Sequence, residues 1–305
     1  MSETAQKNSQ WPELPWTAWA DTAATLHMWT QIVGKTRLAI TPLQNHWWNV
    51  TFYVTARGLA TGGMPLKDDV LDIEFDFVNH VLRLRCGSGH EETLPLKPMT
   101  VADFYREYML RLEALGVKVK IWPMPVEISD PIRFDQDTVH HSYDREYVER
   151  FWRVLVHADR VFRAWAPGFL GKVSPVHFFW GSFDMAVTRF SGRAAPPREG
   201  ADSIQREAYS HEVISAGFWP GNGGYGRAAF YCYAAPVPHG LADADIRPAG
   251  AFWDKALGEF VFPYDDVRLL PDPEAGLLEF LNSAYESAAK AAAWDRAALE
   301  RQSWP

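Results

Sequence analysis

The stretch Val176–Arg193, VHFFWGSFDMAVTRFSGR, decides how the chain is read. It sets Asp184 and Arg189 inside an aromatic and β-branched run of strand composition, and it has an earlier counterpart in 46–58, HWWNVTFYVTARG. The neighbours recur in the same order. A Trp-terminated helix, Gly34-Lys35, His46-Trp47-Trp48 and a strand ending in Arg57-Gly58 in one half correspond to Trp165, Gly171-Lys172, His177-Phe178-Phe179 and a strand ending in Ser191-Gly192-Arg193 in the other. Each copy leads into an antiparallel stretch and then an amphipathic helix. The pattern predicts an α+β fold of two pseudo-repeated units, each an antiparallel β-sheet covered by helices. The units are expected at 11–130 and 143–305, packed intimately, with 131–142 as connector.

The remaining segments supply the elements. TAWADTAATLHMWTQIVGK reads as a helix that stops at Gly34. DIEFDFVNHVLRLRC alternates, with Leu71, Ile73, Phe75 and Phe77 on one face and Asp72, Glu74 and Asp76 on the other. A two-residue turn at Asn79-His80 would set Asp76 against Arg83 and Glu74 against Arg85. Thr100 caps a helix carrying Phe104, Tyr108, Leu112 and Leu115, and VKVKI reads as a strand. A long helix with Val148, Phe151, Leu155, Ala158, Phe162 and Trp165 inward opens the second half. Two strands joined by a glycine-rich turn follow, then EFVFPY as a short strand. A helix capped by Asp272 and opened by Pro273 reaches about Leu299.

Composition narrows the function classes. In 305 residues, 47% hydrophobic and 22% charged, the chain has the balance of an ordinary globular protein. Fourteen Trp, eleven Tyr and eighteen Phe must fill either a dense core or a stacking pocket. A net charge of -8 argues against a partner that presents a phosphate backbone, so nucleic acid is not expected. No apolar run reaches membrane-spanning length and no signal peptide is read, so no membrane partner and a cytoplasmic location are expected. Cys86 and Cys232 stand alone in strand-like runs, which fits reduced thiols. The pseudo-repeat could supply internally the symmetry of a dimer, so a monomer is preferred.

Taken as continuous strands, the two copies each have a dry face: His46, Trp48, Val50, Phe52 and Val54, matched by His177, Phe179, Gly181, Phe183, Met185 and Val187. The other face carries Trp47, Asn49, Thr51 and Tyr53, matched by Phe178, Trp180, Ser182 and Asp184. Rings mixed with short polar groups are the lining of ligand pockets. Asp184 there needs a partner, with Arg189, His211 and Arg227 as candidates. It either forms a structural ion pair or bonds backbone amides, or it is an acid/base residue tuned by burial. His211 is the candidate second catalytic group, and Phe178, Trp180, Ser182, Arg189, Tyr209 and Glu212 are candidate ligand contacts. Ser210-His211-Glu212 in sequence is no triad, and WGSFD is no nucleophile elbow. Metal binding through His177, Asp184, His211 or Glu212 lacks ligand spacing, so no metal is assigned and no cofactor is identified. Gly221-Asn222-Gly223-Gly224-Tyr225-Gly226 satisfies G-x-G-x-x-G, but a strand follows it where a dinucleotide site needs a helix.

Three strings, WPELPWTAWADTAATLHMWTQIVGK, SPVHFFWGSFDMAVTRFSGR and REAYSHEVISAGFWPG, resemble an uncharacterised bacterial protein family that is a domain of unknown function. The resemblance spans most of the chain. It implies a bacterial cytosolic origin and carries no substrate, cofactor or catalytic residue. Three readings stay open at this level: a small-molecule enzyme with an aromatic-lined acid/base pocket in the second unit, a non-catalytic binder of a small ligand, or a structural protein without a pocket.

Overall fold

The computed structural model describes residues 11–302. Its elements in chain order are helix α1 (Trp16–Ile40), a 3-10 turn (Asn45–Val50), and strands β1 (Tyr53–Val54), β2 (Gly58–Ala60), β3 (Met64–Pro65), β4 (Val70–Asp76), β5 (Val81–Cys86) and β6 (Glu91–Pro95). Helices α2 (Val101–Ala114) and α3 (Arg145–Trp165) follow, then β7 (His177–Phe179), β8 (Asp184–Ala194), the short α4 (Ser203–Ala208), β9 (His211–Trp219) and β10 (Ala229–Ala235). Strands β11 (Phe252–Asp254) and β12 (Glu259–Pro263) and helices α5 (Tyr264–Arg268), α6 (Pro273–Ala291) and α7 (Arg296–Leu299) complete the order.

Two antiparallel six-stranded sheets result. The first runs β1-β2-β4-β5-β6 with β3 beside β4, and the second runs β11-β12-β10-β9-β8-β7. They meet at a bridge between Phe52 and Phe178, whose backbone groups exchange two hydrogen bonds of 2.9 Å. Buried side chains from both halves form one contiguous hydrophobic cluster, so neither sheet encloses its core alone.

Helix α1 is the axis of this cluster. It does not stop at Gly34 but runs on to Ile40, buried almost all round from Thr22 to Arg37. Gly34 is there because the Trp180 indole lies across it: a Cβ at residue 34 would sit 2.4 Å from the ring. Several of the helix's buried polar groups bond across the core, as in the paired bonds of Gln31 to the backbone of Val126, 2.8 Å each way, and the 2.8 Å bond from Tyr108 Oη to Thr36.

Several sequence expectations hold in detail. The Thr100 side chain caps α2 by accepting from Asp103 N, and Asp272 caps α6. Helix α3 buries the residues its periodicity assigns inward. Other expectations are corrected. The β4–β5 turn takes four residues, so Glu74 faces Arg83 and Asp72 faces Arg85. The cause is the Asp76 carboxylate, which accepts from Val78 N and Asn79 N at 3.1 and 2.8 Å and organises the turn around itself. A shift of two leaves every side chain on its predicted face. Val117–Ile121 pairs with no strand among the described residues. The last helix breaks after Ala291, with Ala293 at φ 50°.

The decisive correction concerns the two matched runs. HWWNV is a 3-10 turn with His46 and Trp47 in the left-handed region, not a strand, so the first copy contributes only β1 and β2 to its sheet. The stretch from Val176 is a hairpin, not one strand. It turns through Trp180–Phe183, with Phe183 at φ 60°, and pairs Phe179 with Asp184 and His177 with Ala186. The turn reverses the chain and reassigns every face beyond it.

Candidate functional site

Register across the second sheet now sorts its side chains. One face carries Phe178, Met185, Val187, Arg189, Ile214, Ala216, Phe218, Phe230 and Cys232 and packs into the hydrophobic core. The opposite face carries Phe179, Asp184, Ala186, Thr188, Ser215, Gly217, Tyr231, Tyr233 and Glu259, and this is where polar chemistry gathers.

Asp184 opens β8 at the mouth of the hairpin and is 9% exposed. Its carboxylate accepts from the Ser182 hydroxyl on one oxygen and from the Tyr231 phenol on the other. The phenol arrives from two strands away. Gly217 lies between, and a Cβ on it would come within 2.3 Å of Tyr231 Oη, so the missing side chain is what lets the ring lie across β9. No cation joins the pair among the described residues. Burial therefore raises the Asp184 pKa against the pull of its two hydroxyl partners, and the Tyr231 phenol is pushed well up by burial and by the Asp184 charge.

Like charges surround this pair. Glu259, opposite Asp254 on β11, is pushed up to about 7 by burial, then by the charges of Asp184 and Asp254. Glu127, in the segment before α3, is raised by desolvation and by Asp184. A Cβ on Gly181 would fall 2.4 Å from the Glu127 carboxylate, so the hairpin turn and this segment are in contact. Beside the carboxylates, Thr188 and Ser215 hydroxyls meet at 2.8 Å and Tyr209 and Tyr233 hydroxyls at 3.0 Å. The glycine-rich turn closes the end of the face, with Tyr225 stacked on Trp219 and Asn222 donating to Ser182 O at 3.0 Å.

The sequence-derived residues distribute as follows. Asp184 and Ser182 are together. His211 pairs with Ala194, ten residues along β8 from Asp184, roughly 30 Å away at the rise of a strand, so the two do not form a pair. His211 instead accompanies His46, ring to ring at 5.9 Å. Glu212 bonds Arg193 at 2.6 Å and Ser191 at 2.9 Å. Tyr209 stacks under Arg198. Phe178 and Trp180 are core, the latter donating Nε1 to Val50 O at 2.7 Å. Arg189 lies on the sheet's buried side, its guanidinium 3.4 Å from the Trp165 ring and 4.4 Å from Tyr285, and cannot reach Asp184. His177 is buried within the seam of the sheets with neither ring nitrogen bonded. Among the described residues no three His, Cys, Asp or Glu side chains converge as metal ligands would.

Tyr231, Gly217 and Glu259 escaped the sequence reading. Alternation along AFYCYAA is the local signal that puts Tyr231 and Tyr233 on one face, but nothing local ties that face to Asp184. A cleft of about 900 Å³ lies elsewhere, against the outer side of α2, lined by Tyr105, Met109, Leu110, Val117 and Lys118. It holds no buried ionisable group, so the carboxylate face remains the chemical candidate.

The chain belongs to DUF5996, a family of unknown function, which matches residues 11–301. No curated protein and no solved structure matches the chain. No described helix is long and apolar enough to cross a membrane.

Proposed function

We propose that this member of a family of unknown function binds a small molecule on the polar-aromatic face of its second sheet and exchanges a proton with it through Asp184. One observation supports this most: a buried carboxyl held by two hydroxyls, with no cation among the described residues to keep it ionised and with the Glu127 and Glu259 carboxylates within electrostatic reach. A carboxyl in such surroundings keeps its proton to higher pH, which is what a general acid at neutral pH requires. Tyr231 orients it, and Glu259, near neutrality, can return the proton to water. Phe179, Thr188 and Tyr233 flank the face and would contact the ligand. The free, buried Cys86 and Cys232 suit a reducing cytosol.

A second reading has its own support. Both Asp184 oxygens already have protein donors, so the network could serve to lock the hairpin to the sheet. Incubation of wild type, Asp184→Asn and Tyr231→Phe proteins with a cytosolic metabolite extract, read by mass spectrometry, separates the two. The acid–base reading predicts a compound that wild type consumes and Asp184→Asn binds without turning over. Folded Asp184→Asn protein matching wild type in both consumption and capture would refute it.

A further inference from the structure

The seam where the two sheets meet carries buried polar groups that the carboxylate face does not use. His177 is 1% exposed, and neither ring nitrogen has a hydrogen-bond partner among the described residues. Arg37, 8% exposed, leaves its Nη1 unpartnered as well. An imidazole enclosed with no partner and a guanidinium with one enclosed nitrogen left unpaired are each an expensive exception to the rule that buried polar groups are paired.

The two belong to one place. The Tyr53 ring borders both, 5.6 Å from the His177 ring and 5.7 Å from the Arg37 guanidinium carbon, and the Arg37 charge acts on His177. Trp48 closes over His177 at 5.7 Å. Arg37 is fixed in orientation by a 2.7 Å bond from Nε to Asn49 O, and among the described residues it makes no ion pair. The wall that includes Trp48 hangs on a strained turn, with His46 and Trp47 both left-handed at φ 59° and 61°. Such strain in consecutive bulky residues persists where the surroundings impose it, and it gathers at ligand sites.

We infer that this seam holds the oxyanion head of a small ligand, accepting from Arg37 Nη1 and a ring N–H of His177, with Tyr53 and Trp48 as walls. The chemistry follows from the donor set. Arg37 is cationic, and His177 is neutral, because burial and the Arg37 charge hold its pKa down to about 3. A neutral imidazole presents one N–H and one acceptor, so an anion meets a donor from each residue without bringing two cations together. Aromatic walls favour a flat or apolar body behind the head.

The test is a titration of the full chain, with histidine labelled by 15N, against benzoate and against inorganic phosphate up to about 10 mM. His177→Phe assigns the His177 signals. The expected result is a saturable shift of the His177 ring nitrogens with at least one of the two, benzoate marking a carboxylate ligand and phosphate a phosphorylated one. In Arg37→Gln the dissociation constant should rise at least tenfold. Arg37→Lys should fall between the two. Absence of a saturable shift with either anion, or an unchanged constant in folded Arg37→Gln protein, overturns the inference. If Arg37→Gln does not fold, the wild-type titration decides alone. The measurement reads Arg37 and His177 only, so its failure leaves the Asp184 reading standing.

Discussion

Replacing Gly34 with Ala tests how the hairpin that presents Asp184 is held. In an ordinary helix interior this change stabilises by about 1 kcal/mol, because glycine is a poor helix former. Here the new methyl would lie 2.4 Å from three atoms of the Trp180 ring, the nearest atoms of the fold to it. Pushing the indole aside costs about 1–3 kcal/mol in overpacking. It also pulls Nε1 from Val50 O, now at 2.7 Å, and leaving that N–H unpaired costs about 1–3 kcal/mol more. The net expectation is a loss of about 3 kcal/mol, measured by urea unfolding. The same substitution in a Trp180→Ala background meets no indole, so the loss should shrink toward, or pass into, the helix-propensity gain. A loss of similar size in both backgrounds, or a gain in the wild-type background, would refute the argument that Trp180 is why residue 34 has no side chain.

Further outcomes follow from the burial of charge. Glu259 binds its proton more tightly in the fold than its ordinary value of 4.5, so its contribution to stability should decline as pH rises from about 4.5 to about 7; Glu259→Gln should flatten that window in denaturant midpoints. His27, His157 and His177 are held neutral by burial, down to about 4, 4 and 3 from 6.5, so stability should fall as pH drops below 6.5. The slope should reach up to about 1.4 kcal/mol per pH unit for each, and His27→Gln should remove one share of it. Arg189→Met should leave unfolding stability within about 1 kcal/mol or raise it, because a cation with an unpartnered Nε is exchanged for an apolar chain among the same rings, whereas a loss above about 3 kcal/mol would show the aromatic cage to be a net stabiliser of the charge.

What could be read from the sequence was local. Thr100 and Asp272 declare their helices because a cap needs only its own next three residues. The alternation of 71–77 survives even the error in its turn, since a register shift of two preserves faces. The misreadings share one cause. In Trp180–Phe183 the residue that takes positive φ is Phe183, not Gly181, and what holds it there is tertiary: its ring stacks on His27 of α1 at 4.8 Å and on Phe151 of α3 at 5.3 Å. No turn propensity announces such a position. His46 and Trp47 hide their turn in the same way, behind β-favouring residue types. Half of the candidate site was therefore visible as Asp184 and Ser182. The rest depends on Gly217 yielding room for Tyr231, a relation between strands 47 residues apart in their hydrogen-bonded side chains.

The most direct test of the acid–base account is the ionisation of Asp184 itself, followed by the carboxyl 13C shift of labelled aspartate through a pH titration, with Asp184→Asn supplying the assignment. The account predicts that Asp184 titrates above the ordinary aspartate range and that Tyr231→Phe, which removes a donor to the charged form, moves it higher still. A carboxylate that remains ionised down to or below the ordinary range would contradict it, and would leave the Ser182, Asp184 and Tyr231 network as a fastening of the hairpin.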